Sequence, residues 1–118
     1  MNWYLTKIVY QIICGKGLHI PQFDEQLRLI RAGVQQEAFE KAMEIGYKEE
    51  DRFRNAKHEV VQWKFIGVPE VHLLANLADG AELYSRITET DDAGTYVNAV
   101  HQKAAFLRKH NRHTLQII

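Results

Sequence analysis

The chain has 118 residues, of which 46% are hydrophobic and 25% charged, the size and composition of one soluble globular domain. Its fifteen basic residues balance its fifteen acidic ones, so no overall field attracts nucleic acid or an acidic membrane. Cys14 is the single cysteine, which excludes an intrachain disulfide and a cysteine-based zinc site and suits a reducing compartment. We therefore expect one domain over residues 1–118, located in the cytoplasm.

Two strands are predicted at the start of the chain. Trp3–Cys14 is rich in β-branched and aromatic residues, and because Lys7 and Gln11 interrupt it, it is no membrane helix. Gly15–Gly17 forms a turn, and a second strand follows at about Phe23–Arg31. The two strands should pair as a hairpin with a long loop.

From Gln35 the apolar period changes to about 3.6 residues, which indicates an amphipathic helix. Gly46 could end or interrupt it. The polar run Lys48–Arg54 could continue as helix or become a solvated loop, and we expect helix to resume, since Tyr47 and Phe53 still supply apolar anchors.

A third strand is predicted at about Glu59–Val68, where apolar and polar residues alternate. Pro69 then suits the first turn of a short helix over Glu70–Ala78, which Asp79-Gly80 would end. A fourth strand is predicted at about Ala81–Thr88.

Asp91 or Asp92 can cap a final helix that reaches about Lys109. The element order predicts an α+β fold, ββαββα with a short extra helix between strands 3 and 4, in which two main helices pack on one face of a four-stranded, mostly antiparallel sheet. Seven apolar side chains should point toward the helices: Leu27, Leu29, Val61, Trp63, Phe65, Leu83 and Ile87.

Five segments occur in an order that resembles a known family: Trp3–Val9, Phe23–Gln26, Glu37–Ala42, Trp63–Ile66 and Asp79–Ile87. Over about residues 1–90 the chain is similar to an uncharacterised bacterial family, domain of unknown function 4288. The resemblance implies a small bacterial protein. It implies no activity, cofactor or catalytic residue.

The polar face of the predicted sheet is the candidate binding site. Lys7 points to it, and the candidate residues are Gln26, Arg28, Gln62, Lys64, Glu82, Tyr84 and Arg86. We expect a non-enzymatic interaction module that uses this open polar face for self-association or for binding another protein. The alternative is a binder of a small anionic ligand or nucleic acid through Arg28, Lys64 and Arg86. Cross-strand charges that merely keep an open sheet soluble would explain the same pattern.

Other chemistry is weakly indicated. His110 and His113 have a spacing that can share a metal, but His101 is more than two turns away, so no metal site is predicted. Cys14 beside His19 could be a nucleophile, although a lone cysteine is more often a small buried hydrophobe. No catalytic residue and no cofactor are expected, and a set of Asp24, Glu25 and Arg86 is the nearest approach to an active site.

Charge is unevenly distributed along the C-terminal third. Residues 79–92 contain five acids and one arginine, whereas residues 101–118 contain four bases and no acid. Complementarity to the dipole of the final helix explains this arrangement, and a basic tip that touches nucleic acid is the other interpretation. Nucleic acid is nevertheless not expected as a partner, and the apolar tail Leu115–Ile118 favours a protein partner or a homo-oligomer.

Overall fold

The computed structural model describes the backbone of residues 1–117 and the side chains of residues 1–110. The chain divides into two compact units, Met1–Ser85 and Arg86–Ile118. The first holds strands β1 (Asn2–Cys14), β2 (Gln22–Ala32), β3 (Asp51–Arg54) and β4 (Val60–Leu74) and helix α1 (Gln35–Lys48); the second holds helix α2 (Ala93–Ile117). The α+β class is confirmed, while one domain over residues 1–118 stays a prediction.

The four strands form one antiparallel sheet in the order β2-β1-β4-β3. β1 lies inside the sheet and pairs with β2 from Asn2↔Ala32 to Ile12↔Gln22. On its other side β1 pairs with the 15-residue β4. The predicted four-stranded antiparallel sheet is therefore confirmed, although β3 was not among the predicted strands and the predicted strand Ala81–Thr88 is not part of it.

α1 packs on one face of this sheet through small residues. Ala38, Ala42 and Gly46 are buried at a spacing of four, so they lie on one side of the helix and let its backbone approach the strands closely. A Cβ at Gly46 would meet the Phe65 ring. Gly46 is thus a packing position inside α1, and the helix continues past it to Lys48. The predicted packing of a second main helix on this face stays a prediction.

The predicted helical continuation over Lys48–Arg54 is wrong. α1 ends at Lys48, and Asp51–Arg54 is the edge strand β3, paired from Asp51↔Trp63 to Arg54↔Val60. The reversal depends on Asn55, whose side-chain oxygen accepts hydrogen bonds from the backbone N–H groups of Lys57 and Glu59. An asparagine that bonds its own turn in this way favours a reversal over helix.

The predicted helix Glu70–Ala78 and the predicted strand Ala81–Thr88 are also wrong. β4 runs through Pro69 to Leu74, and residues 81–88 have no regular secondary structure. Between the pairs Lys7↔Glu70 and Tyr10↔Phe65, three steps along β1 face five along β4, so β4 is bulged there. β3 pairs only as far as Trp63, so among the described strands none pairs with the outer side of the bulged stretch. Proline is tolerated at edges and bulges, where no ladder hydrogen bond is lost.

The side chains of β2 that face α1 are not the predicted ones. Ile30 and Ala32 are buried under α1, whereas the side chains of Leu27 and Leu29 belong to the opposite face and are 59% and 50% exposed. The pairing with β1 determines this orientation, because Ile30 lies opposite the buried Tyr4. Val61 and Phe65 are buried and Trp63 half-buried on the α1 face, as predicted, whereas Leu83 and Ile87 lie outside the sheet and are exposed.

Candidate functional site

The sheet face turned away from α1, here called the distal face, carries a mixed set of side chains. Strand pairing places residues of β1, β2 and β4 together on it: Leu5, Lys7, Glu25, Leu27, Leu29, Glu70 and His72. Leu5 lies between Leu29 and His72, and Lys7 lies between Leu27 and Glu70. The leucines therefore lie toward β2, and the Lys7–Glu70 pair and His72 lie toward β4.

Glu70 is the centre of the polar contacts on the distal face. Lys7 Nζ lies 2.8 Å from Glu70 Oε2, and the Tyr84 hydroxyl donates a 2.8 Å hydrogen bond to Glu70 Oε1. His72 Nε2 lies 3.1 Å from the same Oε1, and its ring is 4.9 Å from that of Tyr84. Residue 84 is thereby fixed against β4 although it belongs to no strand.

These contacts favour the ionised form of Glu70. The hydrogen bonds from Lys7, Tyr84 and His72 lower the pKa of the Glu70 carboxyl from its ordinary 4.5 to about 2. The hydrogen bond to Glu70 raises the pKa of Lys7, which burial alone would lower, and Glu25 at 3.6 Å adds a second attraction. The pair is therefore charged throughout the physiological range of pH.

A cavity of about 220 Å³ opens beside this cluster. Leu5 and Leu27 form apolar walls, and the lining is completed by Thr6, Lys7, Glu25, Glu70, His72 and Tyr84. Pockets for small ligands usually measure roughly 300 to 1,000 Å³. The cavity is thus smaller than most small-ligand pockets and of a size for one or two amino-acid side chains.

The sequence-predicted binding residues are divided between the two faces of the sheet. Gln26 and Arg28 lie on the α1 face, because Arg28 pairs with Thr6, whose side chain is buried there. Arg28 binds both carboxylate oxygens of Glu49, at 2.7 and 3.1 Å, and also contacts Gln26 Oε1. The Arg28 guanidinium lowers the pKa of Glu49, and that carboxylate raises the pKa of Arg28.

Asp24 also lies on the α1 face. Its Oδ2 accepts hydrogen bonds from Gln26 Nε2 at 2.7 Å and from the Trp63 indole N–H at 3.1 Å. Glu25 belongs to the distal face, and Arg86 is the first residue of the second unit. Asp24 and Glu25 therefore lie on opposite faces of the sheet, so the predicted set of Asp24, Glu25 and Arg86 does not form a site around these two carboxylates.

Gln62 and Lys64 occupy the distal side of β4, paired with Ile13 and Gln11. Glu82 is exposed in the irregular segment, and Tyr84 alone of the seven predicted residues lines the cavity. Glu70 and His72 were missed because their segment reads as helix. Their separation of two residues would have placed both on one face of a strand, had Pro69 been recognised as an edge residue.

The boundaries of the first unit agree with a family assignment. A family model described as Domain of unknown function (DUF4288) matches residues 3–85. The chain belongs to this family. The match ends at Ser85, where the first compact unit also ends, so the sheet, α1 and the Tyr84 contact are all inside the family domain. Searches of curated proteins and of solved structures each found no match.

A second cavity in this DUF4288 protein surrounds Cys14, but His19 does not activate the thiol. His19 Nε2 accepts a 3.0 Å hydrogen bond from the Cys14 backbone N–H, and Nδ1 lies 2.9 Å from the Ile20 carbonyl oxygen. The half-buried Cys14 Sγ instead contacts Asn55 at 3.6 Å and Glu59 at 3.8 Å. Both ring nitrogens are thus occupied by backbone groups.

Over the part of the chain that is described, no group of three or more His, Cys, Asp or Glu residues could hold a metal ion. The side chain of His113 and the apolar tail Leu115–Ile118 lie outside the described side chains. Among the described helices, none has the length and apolar character needed to span a membrane.

Proposed function

We propose that this DUF4288 protein is a non-enzymatic interaction module that binds another protein through its distal face. The observation that carries the proposal is the exposure of Leu27 and Leu29, two residues apart on the outer strand β2 and directly beside the Glu70 cavity. Neighbouring exposed leucines on a sheet face are typical of a surface that a partner covers. The cavity adds a recess that accepts a side chain of that partner.

The polar cluster gives this surface specificity. Lys7 and Glu70 hold each other, and Tyr84 also holds Glu70, so a partner meets charged groups in fixed positions. Preorganised polar groups beside an apolar patch cost less to order on binding. We therefore infer that the leucines supply affinity and that the Lys7–Glu70 pair selects the partner.

Binding of an anion through Arg28, Lys64 and Arg86 is less well supported. Arg28 is held by Glu49 on the α1 face, while Lys64 lies on the distal side of β4. A bidentate arginine already bonded to a carboxylate has few donors left for a ligand. The first unit therefore does not bring Arg28 and Lys64 to a common anion site.

A bacterial, cytoplasmic setting is part of the proposal. The bacterial origin is inferred from the family resemblance, and the free thiol of Cys14 is compatible with a reducing compartment.

The test is quantitative affinity capture from the source cell with three forms of the chain: the natural sequence, the double variant Leu27→Arg and Leu29→Arg, and the control Leu18→Arg. Leu18 is 89% exposed in the loop after β1, so its variant has an added charge without altering the distal face. Each captured candidate is then purified and titrated against the three forms by calorimetry.

We expect a captured protein to bind the natural chain and the Leu18 variant with equal affinity and the double variant at least roughly tenfold more weakly. Equal binding to all three forms contradicts the proposal. So does a candidate that fails to bind the natural chain once both proteins are purified.

A further inference from the structure

Helix α2 carries a continuous apolar stripe. Its members follow one another at alternating steps of four and three residues, which places them on one side of the helix: Ala93, Val97, Val100, Ala104 and Leu107. Val97, Val100 and Leu107 are 46%, 49% and 56% exposed. This spacing is the pattern by which two helices pack along a seam.

The helix has little local stabilisation of its own. Asp92 caps it, since its carboxylate accepts hydrogen bonds from the backbone N–H and the hydroxyl of Thr95. Residues 93–110 contain no acid, so this part of α2 has no internal ion pair between a base and an acid four residues away. Most helices in proteins are stabilised by packing of their apolar side.

Charge indicates what packs on this stripe. Three acids, Glu89, Asp91 and Asp92, precede the helix, and four bases, Lys103, Arg108, Lys109 and Arg112, follow from its eleventh residue onward. Two such helices side by side in the same direction would set bases against bases. In opposite directions, the acidic end of each meets the basic half of the other.

We propose that α2 pairs with α2 of a second copy of this chain, antiparallel, with Val100 of the two copies meeting at the twofold axis. Asp92 and Arg108 are each eight residues from Val100, about 12 Å along the helix, so each acid lies level with the other copy's base. The side chains are also complementary in size. Ala93 lies level with Leu107, and Val97 lies within one residue, about 1.5 Å, of the level of Ala104, so a small residue is opposite a larger one at both places along the seam.

Sedimentation equilibrium of the full chain over a range of concentration tests the pairing. Val100→Lys sets two like charges together at the axis, and Gln102→Lys adds the same charge on the opposite side of α2. We expect the natural chain and the Gln102 variant to dimerise, and Val100→Lys to raise the dimer dissociation constant roughly tenfold or more. Circular dichroism establishes that each variant keeps its helix content.

A charge exchange tests the direction. Arg108→Glu sets a carboxylate level with the Asp92 carboxylate of the other copy and should weaken the dimer, and adding Asp92→Asn, which keeps a side chain able to cap α2, should relieve that repulsion and restore much of the affinity. Raised salt should weaken the natural dimer. A natural chain that stays monomeric overturns the pairing, and so does a charge exchange without rescue. A dimer that Leu27→Arg with Leu29→Arg dissociates and Val100→Lys does not would place self-association on the distal face and overturn the role of α2.

Discussion

The hydroxyl of Tyr10 donates a buried 2.9 Å hydrogen bond to the carbonyl oxygen of Gly46. Tyr10 is at the centre of the sheet and Gly46 is in the last turns of α1, so this bond joins the two layers of the first unit. Burial raises the pKa of the Tyr10 phenol, with a further contribution from Glu49. The hydroxyl is therefore a fixed donor at physiological pH.

Removing this donor should destabilise the fold. Tyr10→Phe leaves the Gly46 carbonyl without its partner, at an expected cost of about 1 to 2 kcal/mol in the free energy of unfolding. Urea titration followed by tryptophan fluorescence measures it. Tyr4→Phe is the control, because the described residues provide no hydrogen bond to that hydroxyl, and an equal loss in both variants would refute the role of the Tyr10–Gly46 bond.

Gly46→Ala should lower stability although alanine is the better helix former. The added Cβ would meet the ring of the buried Phe65, and overpacking of this kind costs about 1 to 3 kcal/mol. Gly67→Ala is the matched control, since nothing lies within 4 Å of a Cβ there. The same urea titration decides: a Gly46 variant as stable as the natural protein would show that α1 does not approach the sheet as closely as described.

The Lys7–Glu70 pair should make the stability of the fold depend on pH. Because the folded pKa of Glu70 is about 2, below its ordinary 4.5, the stability it contributes is fully present above pH 4.5 and is lost as pH falls toward 2. Lys7 has a raised folded pKa, so its contribution is present at neutral pH and is lost in strongly alkaline solution.

We expect Glu70→Gln to flatten the fall in stability between pH 4.5 and pH 2, as measured by thermal unfolding. Glu44→Gln, on an exposed position of α1, should leave the curve of the natural protein unchanged. If the two variants gave the same curve, Glu70 would not be the carboxylate that the Lys7 and Tyr84 contacts stabilise.

Adjacent residues of β2 should differ in their effect on partner binding. Arg28→Ala removes a partly exposed ion pair on the α1 face and should cost at most about 1 kcal/mol of stability, without altering partner affinity. Leu27→Arg is one residue earlier but on the distal face. It should lower the affinity for the partner and leave the Arg28–Glu49 pair in place. Calorimetric titration of both variants with the same partner measures the contrast, and equal loss in both would count against a face-specific interaction.

The sequence was sufficient for the fold class because the long apolar strands and the 3.6-residue period of α1 are strong local signals. The sequence could not predict which side chains of β2 face α1, since both alternating sets contain apolar residues. Leu27 and Leu29 belong to one set, and Ile30 and Ala32 belong to the other. Only pairing with β1 decides between the two sets.

The candidate site was missed for a related reason. Pro69 followed by Val71 and Leu74 has the spacing of a helix start, and the bulge that keeps this segment in β4 depends on its register with β1. Pairing of β4 with β1, which is distant in sequence, therefore places Glu70 and His72 on the distal face. Tyr84 was among the predicted binding residues and lines the cavity, although the strand predicted to carry it does not form.

The most direct test of the distal face is photo-crosslinking in the source cell. A photoreactive phenylalanine analogue is placed at position 29 of the full chain, and at position 18 as the control. The proposal predicts a discrete crosslinked protein from position 29 that is absent from position 18. No crosslinked product from position 29, or the same products from both positions, would contradict an interaction surface on the distal face.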